Sequence, residues 1–289
     1  MTETHTRPES ALPQSAPLES ALLEPALPDT RRTEYLRTGT GPGLALAHGA
    51  GGDVELNFGP LLRRLSGRRQ LVGTRYPGTG ASDPSGDLDV GTLADSLVAA
   101  LVREGHERFP VVGASFGSAV ALAAALRHPE RVTALVLTVG FAEPDAQLRT
   151  VASVWAALHA AQARSELGAY LISLLTHPRQ LAELGADEQR ALAAQVGKSL
   201  PEGGLRQITA ATTVRLTDHL GEIAVPTLVV VAGADRVVLP TSSRLLGERI
   251  PGATVVEYPD AGHAFTQDEG LVWAEDVERF LDRVERHGT

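Results

Sequence analysis

From residue 43 onward, short unbroken apolar runs alternate with longer stretches whose apolar positions recur every three or four residues. The runs are GLALA (Gly43–Ala47), QLVGT (Gln70–Thr74), the Val111-Val112 pair, VTALVLTV (132–139), TLVVVA (Thr227–Ala232) and TVVEY (Thr254–Tyr258). Each predicts a strand, and GLALA a buried one. The stretches between them predict helices near Val54–Leu65, over 90–102, from the turn at 113–117 up to Pro129, near 241–249 and near 271–284. In the second of these, Leu93, Leu97, Ala100 and Leu101 share one face. Apolar strands alternating with helices predict an α/β architecture, a mostly parallel central sheet covered on both faces. An eight-strand-like sheet is expected, with a weak first strand at 34–37.

Two regions break the rhythm. Residues 142–221 hold helical patterns, among them QLRTVASVWAALHAAQ, ELGAYLISLLTH, DEQRALAAQV and LRQITAATTVRL, without a convincing strand. An all-helical block between two strands is expected to form a lid over the strand C-terminal ends, where ligands of open α/β sheets sit. Residues 1–30 carry prolines at 8, 13, 17, 25 and 28 and are expected to form a disordered or loosely docked tail. The domain organisation expected is therefore a tail (1–30), a core (31–141 and 222–289) and a helical lid (142–221).

Composition narrows the function. A chain of 289 residues can bury a core without a metal or disulfide staple. Cysteine is absent, which excludes thiol catalysis and cysteine zinc sites. A net charge of −9 argues against nucleic acid as partner. No run approaches the ~18 apolar residues of a membrane span. The opening MTETHTRPES has neither the basic nor the apolar region of a signal peptide. A cytoplasmic protein acting on a small molecule, without membrane attachment, is expected. Its oligomeric state is left open.

The candidate chemistry centres on Gly113-Ala114-Ser115-Phe116-Gly117, between a β-branched pair and an alanine-rich helix. A serine between two glycines on a strand-to-helix turn has the form of a nucleophile elbow. The turn is tight enough to demand glycine on both flanks, and the helix N-terminus points at any oxyanion formed there. Asp235 follows the strand TLVVVA, and His263 follows the strand TVVEYP. The order Ser…Asp…His is the one that this elbow requires. A serine hydroxyl needs a base to take its proton, and a carboxylate fixes the tautomer of that base. Glu143, after VLTVGF, is a competing acid, with Asp235 favoured by its place in the chain.

Other motifs point away from cofactors. His48-Gly49-Ala50-Gly51-Gly52 joins a strand to a helix but lacks the Gly-Lys-Ser/Thr ending of a phosphate loop, and no G-x-G-x-x-G is complete. No H-E-x-x-H or carboxylate cluster suggests a metal. The small residues after His48 instead leave backbone N–H groups bare for an oxyanion.

Taken together, HGAGG, YPGTGASD, GASFGSAVALAAALRHPERV, VVVAGADRVVLP and DAGHAF resemble the α/β-hydrolase family from Gly43 to the C-terminus. The resemblance implies Ser115 as nucleophile, His263 as base, Asp235 as acid, and the N–H groups of Phe116 and Ala50 as the oxyanion hole. It implies a serine hydrolase that cleaves an ester, thioester or lactone of an apolar small molecule through an acyl-enzyme. Acyl transfer or elimination at the same site, and a receptor without turnover, are the alternatives. Two features depart from the family pattern. Arg75 stands where many members carry aspartate, either in a salt bridge or facing an anionic substrate group. The usual antiparallel first hairpin is also reduced. Among aromatics, Tyr76 and Trp155 are candidate substrate contacts, with Phe58 and Tyr170 as further possibilities.

Overall fold

The computed structural model describes Leu27 and residues 33–287. The tail expected at 1–30 therefore lies, Leu27 apart, outside the described residues. Seven strands form one sheet: β1 (Tyr35–Gly39), β2 (Gly43–Ala47), β3 (Gln70–Thr74), β4 (Phe109–Ala114), β5 (Val132–Thr138), β6 (Thr227–Ala232) and β7 (Thr254–Tyr258), in the order β1-β3-β2-β4-β5-β6-β7. Only β1 runs antiparallel, with Tyr35 opposite Thr74 and Gly39 opposite Gln70.

The count corrects the eight-strand expectation among the described residues. Just before β1, the Glu34 N–H donates to the Ser82 hydroxyl (3.1 Å) and its carboxylate binds Arg75 and the Ala81 N–H. Glu34 is thus committed to the 75–82 loop, and the antiparallel edge begins at Tyr35.

Five helices cover the sheet. Helices α1 (Val54–Leu65) and α10 (Gln267–His287) share a core with Leu44, Leu46, Val112 and Val136. Helices α2 (Val90–Arg103), α3 (Phe116–Arg127) and α9 (Pro240–Arg249) pack with Ala45, Ala47, Val111 and Leu135. Successive residues of β4, Val111 and Val112, thus enter different cores. Alternating side chains that are buried on both faces explain why the central strands read as unbroken apolar runs. Helix α10 starts earlier than its apolar spacing predicts, because Thr266 and Glu269 form a capping box. The Thr266 N–H donates to the Glu269 carboxylate (2.8 Å), and the Glu269 N–H donates to the Thr266 hydroxyl (3.2 Å).

Residues 142–221 hold α4 (Ala146–Ala160), α5 (Arg164–Leu175), α6 (Pro178–Glu183), α7 (Ala186–Ser199) and α8 (Gly204–Ala211), with no strand among them; a 3-10 helix (Thr217–Glu222) leads back to β6. Helices α5 and α7 meet backbone to backbone. A Cβ on Gly168 would lie 2.0 Å from the Ala193 carbonyl, and one on Gly197 would lie 2.1 Å from that of Arg164. The block also reaches the sheet's C-terminal edge. The Ala264 N–H donates to the Leu175 carbonyl (3.0 Å), and Arg236 donates to that of Thr176 (3.0 Å).

Candidate active site

Three parallel strands deliver three side chains to one edge. Strand β4 is followed directly by Ser115, β6 by Asp235 and β7 by His263. Ser115 has φ 55° and ψ −123°, a conformation rare outside glycine that stores roughly 1–3 kcal/mol. Its surroundings over-determine it. The Ser115 N–H donates to the Thr138 carbonyl on β5 (2.9 Å), and the flanking glycines leave no room for a side chain. A Cβ on Gly113 would sit 2.3 Å from the Gly117 carbonyl oxygen, and one on Gly117 would sit 1.9 Å from that of Ala47.

The His263 Nε2 lies 3.1 Å from Ser115 Oγ, and its Nδ1 lies 2.7 Å from the Asp235 carboxylate. Asp235 is 4% exposed, and its other oxygen accepts from the N–H groups of Val237 (2.8 Å) and Val238 (3.1 Å). Two backbone donors therefore fix the carboxylate, the carboxylate orients the ring, and the ring presents its second nitrogen to the serine. A proton can pass from Oγ to Nε2 while the charge left on the ring faces a carboxylate. Glu143 takes no part in this arrangement. It is exposed, 3.9 Å from Arg215.

The loop 48–52 lies against the serine, since a Cβ on Gly49 would be 3.2 Å from the Ser115 Cβ. His48 anchors this loop. Fully buried, its ring stacks on Tyr76 at 3.9 Å. Nε2 accepts from the Tyr76 N–H (3.2 Å), which leaves Nδ1–H to donate to the Gly49 carbonyl (2.8 Å). Burial pushes this histidine down to about 4, against the smaller opposing effect of the Gly49 carbonyl, so the ring is neutral. Within the loop, the Gly49 N–H donates to Asn57, that of Gly51 to Gln207 and that of Gly52 to the Gly49 carbonyl. The Ala50 N–H, like that of Phe116 at the start of α3, donates to no protein group among the described residues. Two free donors beside the serine are what an oxyanion needs.

The aromatic candidates are mostly wall. Tyr76 is 1% exposed, between His48 and the edge of Phe116, and its hydroxyl is buried without a partner. Trp155 is 5% exposed and covers the loop, its ring 2.7 Å from where a Gly51 Cβ would be. Phe58 is buried in the α1–α10 core near Trp273. Tyr170 is half-buried on α5. Arg75 meets Glu34, Asp53 (3.1 Å) and Glu55 (2.7 Å), so its charge is held within the protein and the salt-bridge alternative describes it. One residue that sequence reasoning passed over is Gln207. It is a completely buried amide on α8 that bonds the loops around Gly51 and Thr79. No spacing in LRQITAA marks it.

A family model described as the alpha/beta hydrolase fold matches residues 43–269. The chain belongs to the α/β-hydrolase family. A pyrrolizixenacetamide deacetylase from Xenorhabdus hominickii is 30% identical over 229 residues, which cover 78% of this chain and 86% of the relative. RutD of Klebsiella pneumoniae, named for carbamate hydrolysis, is 34% identical over 208 residues, covering 69% of this chain and 76% of that protein. Among solved structures, an α/β hydrolase from a Medee basin deep-sea metagenome superposes with a TM-score of 0.78 at 18% identity, covering 86% of this chain and 94% of the other. These relatives support hydrolase activity in this α/β-hydrolase. Among the described residues, no group of three or more His, Asp or Glu side chains could hold a metal ion, and no helix is long and apolar enough to cross a membrane.

Proposed function

We propose that the protein is a serine-dependent hydrolase that cleaves the acyl bond of a small apolar ester through an acyl-enzyme on Ser115. The observation that carries this reading is the relay from Asp235 through His263 to Ser115, at 2.7 and 3.1 Å. The hydroxyl attacks the carbonyl carbon as its proton passes to His263 Nε2. The carbonyl oxygen takes the negative charge and is stabilised by the Ala50 and Phe116 N–H groups. As the tetrahedral species collapses, the leaving group takes the proton from His263. Water, deprotonated in turn by His263, attacks the acyl-serine and releases the acid. An amide substrate fits the same steps, and the deacetylase relative supports including it in the substrate class. The helical block acts as a lid, with Trp155 as its apolar face towards the site, which favours an apolar acyl or ring system.

The test is labelling with a fluorophosphonate followed by peptide mass spectrometry. One phosphonyl group on Ser115 is expected, with none on the Ser115→Ala variant. Ester turnover should fall about 10⁶-fold in that variant. Labelling of a different serine, or full activity in the alanine variant, removes the mechanism. In ¹⁸O-water the acid product should carry one labelled oxygen. An unlabelled transfer or elimination product would replace hydrolysis with that chemistry, and tight apolar binding without turnover of any ester would make the protein a receptor.

A further inference from the structure

Gln207 contributes an amide to the site from outside the core sheet. Its side chain accepts one hydrogen bond and donates two. The Gly51 N–H donates to its Oε1 (2.8 Å), while its NH₂ group donates to the Pro77 carbonyl (3.1 Å) and to the Thr79 hydroxyl (2.8 Å). The residue is 0% exposed, so any bond lost here cannot be replaced by bulk water. None of the three partners is local. They lie on the two loops that flank the site, 128 to 156 residues away in the chain.

The peptide groups of the 48–52 loop show what this amide does. The Gly49 N–H is held by Asn57 Oδ1 (2.7 Å), the Gly51 N–H by Gln207 and the Gly52 N–H by the Gly49 carbonyl (3.2 Å). The peptide unit between Gly49 and Ala50 carries an N–H with no protein partner among the described residues, and the peptide units on either side of it are fixed. Asn57 pins one side from the core, and Gln207 pins the other from the helical block. Gly51 has φ +70°, and Trp155 packs where its side chain would be, so the loop has no side chain of its own to hold this turn. Helix α8 is itself seated close by. The Gly203 N–H donates to the Gly78 carbonyl (3.0 Å), and a Cβ on Gly203 would be 2.2 Å from the Pro77 carbonyl.

We infer that Gln207 is a positioning residue that aims the Ala50 N–H at the oxyanion, and that through it the helical block sets the strength of the oxyanion hole. The inference rests on the acyl-enzyme reading above. A donor turned away from the developing charge is lost only in the transition state, so the effect belongs in kcat rather than in KM.

The experiment compares wild type, Gln207→Met and Gln207→Glu, with p-nitrophenyl butyrate as substrate and an alkyl trifluoromethyl ketone as inhibitor. The ketone accepts Ser115 Oγ at its carbonyl carbon, the proton moves to His263, and the oxygen becomes an oxyanion without a leaving group. Methionine keeps the volume but loses the acceptor. It should lower kcat roughly 30-fold and weaken the ketone by a similar factor, with KM within about threefold. Glutamic acid, held protonated by complete burial, keeps a carbonyl oxygen for the Gly51 N–H and an O–H to donate in place of the amide, and in assays at or below neutral pH should restore kcat to within about fivefold of wild type. Gln207→Asn, whose shorter amide cannot span the gap, carries the same test if the methionine variant does not fold. Fluorophosphonate end-point labelling reports the fraction of folded sites, so partial unfolding is not mistaken for a weaker donor. Unchanged kcat, unchanged ketone affinity, or equal losses in the methionine and glutamate variants would overturn the role of Gln207 while Ser115 labelling stands. Absence of Ser115 labelling in wild type would instead overturn the acyl-enzyme reading and this inference with it.

Discussion

The molecule holds two aspartate–histidine pairs of nearly equal N···O distance. At the C-terminal edge of the sheet, Asp235 meets His263 at 2.7 Å. Between α2 and α3, Asp95 meets His128 at 2.8 Å. The third partner separates them. Asp95 is also gripped by Arg127 through two bonds (2.8 and 2.6 Å), so its charge is neutralised by a guanidinium. Burial drives its carboxyl up, but the bonds from His128 and Arg127 outweigh this and hold it below the usual range. Asp235 has only backbone N–H groups on its far side, and the second ring nitrogen of its histidine faces a serine. An Asp–His pair is therefore not in itself a catalytic feature. The proposed relay also needs a carboxylate without a cation on one side of the ring and a hydroxyl on the other, and the strand ends place both.

Breaking each pair should expose that difference. Asp235→Asn leaves the ring hydrogen-bonded but favours the wrong tautomer, and is expected to lower kcat about 10⁴-fold with little change in folding. Glu143→Gln should leave kcat near that of wild type. If Glu143→Gln had the larger effect, the acid would have to be sought on the β5 side. Asp95→Asn should do the opposite. It strands the Arg127 charge, only 10% exposed, and should cost about 4 kcal/mol in urea-monitored unfolding while kcat of the folded fraction stays within about twofold. A large kcat loss without loss of stability would mean that the α2–α3 pair is coupled to the site.

The sheet-edge pair is legible in the sequence, and the α2–α3 pair is not. Ser115 and Asp235 follow apolar runs that form buried strands, and His263 follows the more exposed edge strand β7, so sequence order alone places them on one edge. The boundaries of β2, β3, β6, β7 and α1 fall where the apolar runs put them. Asp95 and His128 sit instead at a helix face and a helix end, in patterns identical to solvated positions. Their contact depends on how α2 packs on α3. Gln207 was hidden for the same reason, since its partners are more than a hundred residues away. Arg75 was visible as an oddity, but its three carboxylates come from β1's approach and the start of α1, which no local pattern brings together. The eighth strand went beyond the alternation itself, whose six runs from Gly43 onward and weak strand at 34–37 match the seven strands of the sheet.

A third histidine sharpens the comparison, because it is buried without a carboxylate bonded to its ring. His48 bonds only backbone groups and is held at about 4, below its ordinary 6.5. The sign of its effect on stability follows from proton counting. Above pH 6.5 the ring is neutral in both folded and unfolded chains, and it adds no pH dependence. Between 6.5 and 4 the unfolded chain binds a proton that the folded protein refuses, so stability falls as pH falls across that window. The full loss is about 3 kcal/mol, reached near the folded value. Other groups titrate in the same range, so the measurement is a difference. Urea unfolding of wild type and His48→Gln, followed from pH 7.5 to 4.5, should show a steeper decline in the wild type. Glutamine offers an acceptor to the Tyr76 N–H but has no proton to gain, so it removes the titration and keeps the contact. Parallel curves would mean that His48 takes up its proton within the fold. The stacked His48–Tyr76 pair would then have to open towards water, and the loop that carries the Ala50 donor would open with it.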